Sequence, residues 1–129
     1  MASLLDYKGN ETILVVDDEF MIRDFLTCLL EDLGYKVMIS EDGEDAVNRY
    51  KQHHDSIKAV IMDVMMPKKD GITAYWEIKE IKADANILLV SGFDNSTFPH
   101  KFTNLPIIPK PFKPEEIVKK IRTTIDGTA

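Results

Sequence analysis

The 129-residue chain has one cysteine, Cys28. No intramolecular disulfide can form, which excludes a disulfide-stapled scaffold and fits a reducing compartment. No apolar run is long enough to span a bilayer. The opening MASLLDYKGN lacks the basic region and long apolar core of a signal peptide, so a cytoplasmic location is expected. Basic charge is scarce: 16 Lys and Arg stand against 22 Asp and Glu, a formal net charge of −6. That argues against nucleic acid as a direct partner, because a phosphate backbone needs a basic face. There is no internal repeat and no low-complexity segment.

What is present fits one ordinary globular domain, with 44% hydrophobic and 29% charged residues. Short, continuous apolar runs rich in Val and Ile alternate with helical patterns. The runs are TILVV (12–16), KVMIS (36–40), KAVIMD (58–63), NILLV (86–90) and PIIP (106–109). Such runs predict strands buried on both faces, as in a parallel sheet. Ile22, Leu26, Leu29 and Leu33 step along one helix, with Gly34 as its stop signal. Cys28 lies in this pattern and reads as a small buried hydrophobe. Ala46, Val47 and Tyr50 mark a second helix, capped by Asp42. Ile72, Tyr75, Ile78 and Ile81, with Trp76 beside them, mark a third that opens at Asp70-Gly71 and reads as core. Ile117, Val118, Ile121 and Ile125 mark the last, entered through Pro114. The interval 94–104 is polar, carries Pro99, and predicts a short or irregular fourth helix. The fold class is therefore α/β, a doubly wound five-stranded parallel sheet with helices on both faces.

In such a sheet the functional crevice lies beyond the carboxyl ends of the strands. The first strand runs into Asp17, Asp18 and Glu19, and the third into Asp63. The fourth ends at Ser91-Gly92 and the fifth at Lys110. Clustered aspartates repel one another unless a cation is present. Mg²⁺ suits one or two carboxylates plus a phosphate oxygen. A carboxylate can also attack phosphorus to form an aspartyl phosphate, with Lys110 and Ser91 placed to neutralise the phosphoryl oxygens. Taken singly, each of these residues reads most simply as a solvated turn or a cap. Together, at successive ends of one sheet, they read as a site. Asp24, Glu31, Asp32, Glu44 and Asp45 read as solvated helix positions. His53, His54 and His100 read as solvated, and the adjacent pair makes a poor metal site. Lys113, Lys119, Lys120 and Arg122 read as an exposed basic helix face.

Four blocks, ILVVDDE, VIMDVMMPKKDG, LLVSGF and IPKPF, resemble those of response-regulator receiver domains of two-component systems. The resemblance covers about residues 11–126, leaving 1–10 as an extension or linker and 127–129 as a tail. It implies the CheY-like, flavodoxin-like strand order 2-1-3-4-5. Asp63 would be the phospho-acceptor, taking its phosphoryl group from a phosphohistidine of a sensor kinase or phosphotransfer protein. Asp18 and Asp63 would bind Mg²⁺, with Asp17 helping through water and the backbone carbonyl of Met65 supplying another oxygen. Ser91 would hydrogen-bond a phosphoryl oxygen, and Lys110 would pair with Asp63 or with the phosphoryl group. Pro67 and Gly71 match the proline after the acceptor loop and the glycine opening the third helix. Beyond autodephosphorylation, with Met65 and Phe93 at its rate-tuning positions, no enzyme activity is implied. Two positions depart from pattern. Ile107 stands where the family carries Tyr or Phe, and an aliphatic side chain cannot repeat an aromatic swing. The stretch from Ser91 to Lys110 is also shorter than usual, so dimerisation through that surface is not expected.

Three other readings compete. A phosphorylation-independent pseudo-receiver usually lacks acidic-pocket residues, and none is missing here. A Mg²⁺-dependent phosphohydrolase would need a second acid, and the D-x-D spacing is absent after the third strand. An FMN module would need a phosphate-binding loop where DDEF is acidic. Downstream output is an unknown domain or protein. The chain could be a stand-alone regulator or part of a hybrid kinase or larger regulator.

Overall fold

The computed structural model describes residues 3–92, 105 and 107–127. After a 3-10 turn at Leu4–Tyr7 come β1 (Thr12–Val16), α1 (Phe20–Asp32), β2 (Lys36–Ser40) and α2 (Gly43–His53). Then follow β3 (Ile57–Asp63), α3 (Gly71–Ile81), β4 (Ile87–Ser91), β5 (Ile107–Pro109) and α4 (Pro114–Asp126). All five strands are parallel, in the order β2-β1-β3-β4-β5. The interval expected to hold a short helix, together with Phe93 and His100, lies outside the described residues.

Alternation along each strand builds two cores. Leu14, Val16, Val60, Met62 and Leu89 face α2 and α3, where Val47, Tyr50, Ile72 and Ile78 close over them. Ile13, Val15, Ala59, Ile61 and Val90 face α1 and α4, packing against Leu26, Leu30, Ile117 and Ile121. Burial on both faces holds for β1, β3 and β4. The two edge strands are less covered: Lys36 and Ile39 of β2 and Pro109 of β5 are exposed.

The expected punctuation is in place. Asp42 accepts from the Asp45 N–H at 2.8 Å, and Asp70 from the Thr73 N–H at 2.7 Å, each capping a helix. Gly34 ends α1 at φ 97°, a left-handed geometry that favours glycine.

Three expectations are corrected. Cys28 is exposed, because it stands two positions, about 200°, from the buried Leu26. Trp76 is 54% exposed for the same reason, being two positions from buried Ala74. It packs edge-on against Tyr75, with ring centroids 4.9 Å apart.

The third correction is Arg122, which does not belong to a solvated basic face. Its guanidinium is forked onto Glu11, at 2.9 and 2.6 Å, and onto Asp126, at 3.1 and 2.7 Å. It also donates to the Tyr35 hydroxyl, which in turn donates to the Tyr7 carbonyl at 2.6 Å. The network ties α4 to the segment before β1. The hydrogen bonds from Arg122 hold the Glu11 carboxyl at about 2, well below its ordinary 4.5. This pair therefore stabilises the fold above about pH 4.5, and the gain is lost as pH falls toward 2. Arg122→Ala is expected to cost about 2 kcal/mol at neutral pH, since it strips a paired carboxylate of charge-assisted bonds. Urea unfolding measures this; an unchanged midpoint would mean that the network is solvent-screened.

Candidate functional site

Every strand but β2 delivers a chemical group to one end of the sheet. β2 is joined in through the backbone, where the Asp17 N–H donates to the Ser40 carbonyl at 3.2 Å. The Lys110 N–H donates to the Ser91 carbonyl at 2.7 Å, which holds the ends of β4 and β5 side by side. The Val64 N–H donates to the Val90 carbonyl at 3.0 Å, extending the β3–β4 ladder past Asp63.

Asp17, Asp18 and Asp63 each bring a carboxylate oxygen within 4.8 Å of the others. Asp17 and Asp63 are buried and Asp18 is exposed. The Lys110 ammonium sits over the group, 2.7 Å from Asp17 Oδ2, 3.4 Å from Asp63 Oδ1 and 4.0 Å from Glu19 Oε1. The sequence reading paired Lys110 with Asp63; here Asp17 is its nearer partner. Asp17 is held on its other oxygen too, accepting from the Glu19 N–H at 2.9 Å. Among the described residues, Asp18 accepts no side-chain hydrogen bond.

Burial pushes the Asp63 carboxyl up from 3.8 to about 6. Lys110 opposes this, while the charges of Asp17 and Asp18 add to it. Burial works against the Lys110 charge, but Asp17 and Asp63 more than offset it and hold the ammonium above its ordinary range. The site thus carries more negative charge than one lysine neutralises.

The loop after β3 is shaped by two close backbone approaches. The Gly71 N–H donates to the Val64 carbonyl at 2.8 Å, so the first turn of α3 lies against the peptide after Asp63. The Gly43 N–H donates to the Lys69 carbonyl at 3.2 Å, latching the far end of the loop onto α2. Met65 lies between, with its side chain half exposed. Ser91 is buried at the end of β4.

One residue near the site was not singled out from sequence. Arg23, one turn into α1, is buried and donates from Nη1 to the Asp17 carbonyl at 2.8 Å. Its only signal in the sequence is Glu19 four positions earlier, which reads as an ordinary helix-surface pair.

Residues 13–122 match the family model for the response regulator receiver domain. The chain belongs to the receiver domains of response regulators. CheY of Bacillus subtilis is 34% identical over 118 residues, covering 88% of this receiver domain and 97% of that protein. A probable transcriptional regulator, ycf27 of Guillardia theta, is 33% identical over 129 residues, covering 96% of this chain and 49% of that protein. The receiver thus spans about half the length of the ycf27 relatives it matches. Among solved structures, the response regulator TrrA of Thermotoga maritima, in complex with Mg²⁺ and BeF, is 30% identical with a TM-score of 0.78. It covers 88% of this chain and 98% of that one. The CheX–CheY–BeF3–Mg²⁺ complex of Borrelia burgdorferi contains a chain 26% identical, with a TM-score of 0.80, over 92% of this receiver and 96% of that chain. Receiver domains are signalling modules of two-component systems. Among the described residues, no helix is long and apolar enough to cross a membrane.

Proposed function

We propose that Asp63 is the phospho-acceptor of this receiver and takes its phosphoryl group from a phosphohistidine on a kinase or phosphotransfer protein. The observation that carries the reading is the three-carboxylate cluster with Lys110 seated on it. An Asp63 oxygen forms the new bond to phosphorus as the bond from phosphorus to the histidine nitrogen breaks. The imidazole leaves with the electron pair and takes up a proton from solvent. Lys110, already within reach of Asp63, turns from the carboxylates to the phosphoryl oxygens. Ser91, at the end of the neighbouring strand, donates its hydroxyl to another of them. The domain carrying this chemistry runs from about 11 to 126.

The donor set fits Mg²⁺. Its oxygens are hard, and three carboxylates lie within 4.8 Å of one another, with burial holding the Asp63 carboxyl up at about 6, a cost that a divalent cation would relieve. Asp18 and Asp63 would hold the ion directly, with the Met65 carbonyl as a further oxygen and Asp17 acting through water. When bound, Mg²⁺ supplies neutralising charge to the phosphoryl oxygens.

The phosphodonor fits as a protein. Phe20, Met21 and Phe25 of α1 are exposed beside the site. An apolar hollow of about 260 Å³, lined by Ile22, Phe25, Pro111 and Phe112, adjoins Lys110. An exposed apolar surface of this kind suits protein docking better than capture of a small phosphate ester.

The test is incubation of the full chain with acetyl phosphate. One hydroxylamine-labile phosphoryl group per chain is expected with Mg²⁺ and none once a chelator removes it. Equal incorporation in both conditions would refute the metal assignment.

A further inference from the structure

Arg23 is an expensive residue to bury. Its side chain is 10% exposed, its Nε has no hydrogen-bond partner among the described residues, and its ion pair with Glu41 is long, at 3.5 Å, with Glu41 largely in solvent. A buried guanidinium left part-satisfied costs stability that an apolar side chain would not. Its one short bond goes to the Asp17 carbonyl, at 2.8 Å. That carbonyl belongs to the peptide linking Asp17 to Asp18. The Asp17 N–H is held by Ser40 and the Glu19 N–H by Asp17 Oδ1, so the peptides on either side of this one are held as well. Asp18 has no side-chain bond of its own among the described residues, so its position is set by this backbone. The α1 N-terminus supports the arrangement, because the Arg23 N–H also donates to the Glu19 carbonyl at 3.1 Å.

We propose that Arg23 is a positioning residue for the acidic centre: by holding the Asp17 carbonyl it places the Asp18 carboxylate and thereby sets the affinity for a divalent cation. This rests on the reading of Asp18 as a Mg²⁺ ligand. The proposal has a sign that separates it from simple electrostatics. A cation close to a metal site repels the metal, so removing an arginine that acts only through its charge would tighten Mg²⁺ binding. Removing one that orients a ligand weakens it.

The experiment is an NMR-monitored Mg²⁺ titration of the full chain, as wild type, Arg23→Met, Arg23→Lys and Asp18→Asn, with thermal unfolding of each in chelator. Methionine keeps the apolar packing of the stem but loses the guanidinium and its donors. Arg23→Met is expected to weaken Mg²⁺ about tenfold, the low end for loss of a group that orients a metal's ligands. Arg23→Lys, which retains a donor, is expected to recover most of that loss. Unchanged or tighter binding by Arg23→Met overturns the proposal, even if its melting temperature falls, because that pattern is a purely structural role. If Arg23→Met does not fold, Arg23→Gln takes its place under the same two outcomes. A wild type that binds no Mg²⁺, or an Asp18→Asn that binds as well as wild type, instead removes the parent reading of the site.

Discussion

Asp63→Asn is expected to take up no phosphate from acetyl phosphate, and in metal-free buffer at neutral pH it is expected to be more stable than the wild type. The first effect follows from the loss of the nucleophilic carboxylate, the second from its burial. The Asp63 carboxyl is raised from 3.8 to about 6, so the folded state binds this proton more tightly than the unfolded chain does. Its contribution to stability is therefore complete below about pH 4 and is lost as pH rises through about 6. At about 1.4 kcal/mol per unit, keeping the carboxylate ionised at neutral pH costs the fold about 2–3 kcal/mol. Asparagine removes that cost, which is already net of the 3.4 Å pairing with Lys110, but leaves a buried amide in its place, while Lys110 keeps its shorter bond to Asp17. A net gain of about 1–2 kcal/mol is left. Added Mg²⁺ should reverse the order, because ligand binding stabilises only a chain that holds the ion. Urea midpoints from pH 4 to 8, with and without Mg²⁺, measure all of this. Phosphate uptake by Asp63→Asn equal to wild type would place the acceptor elsewhere. A less stable variant in chelator would show that the acidic cluster is already relieved without metal.

Gly71→Ala should be highly damaging for the addition of a single methyl group. The need here is for space. A Cβ at Gly71 would overlap the Asp63 carbonyl oxygen and stand 2.9 Å from both that carbonyl's carbon and the Cα of Val64. All three are backbone atoms of the acceptor loop, so no side chain can swing away. Either α3 or the peptide after Asp63 must move. A loss of about 3 kcal/mol is expected, at the upper end for overpacking a closed site. The better helix propensity of alanine, worth up to about 1 kcal/mol, recovers only part of it. Phosphate uptake should fall as well, since the displaced peptide adjoins Asp63, the proposed acceptor. Gly92→Ala is the control, because a Cβ there meets nothing within 4 Å among the described residues. Equal midpoints for the two variants would show that the loop yields at little cost.

How far these features were readable from sequence depended on the kind of information each required. Strands β1, β3 and β4 were legible because a strand covered on both faces has little room for polar residues. Asp63 and Lys110 were legible as soon as the strands were, since strand ends share one edge of a parallel sheet. Arg122 and Cys28 were misread for a common reason. A residue type does not say which way its side chain points, and two positions on a helix reverse the answer. Arg23 went unremarked because an arginine four residues after a glutamate is the usual sign of a solvated pair. Its partner is a main-chain carbonyl, and no residue type announces a carbonyl that needs a donor.

The sequence by itself determined the α/β class, the edge of the sheet that holds the chemistry, and the acidic and basic groups that meet there. Each of these follows from local composition and from the handedness of crossovers. Only the tertiary structure decided how the charges are shared. Lys110 and Asp17 lie 93 residues apart in the chain and 2.7 Å apart in the fold. Whether the lysine leans to Asp17 or to Asp63 depends on differences under 1 Å, set by the packing of β5 against β4 and of α3 against the acceptor loop. Coulomb energies in a buried site change steeply over such distances, and no sequence pattern carries them.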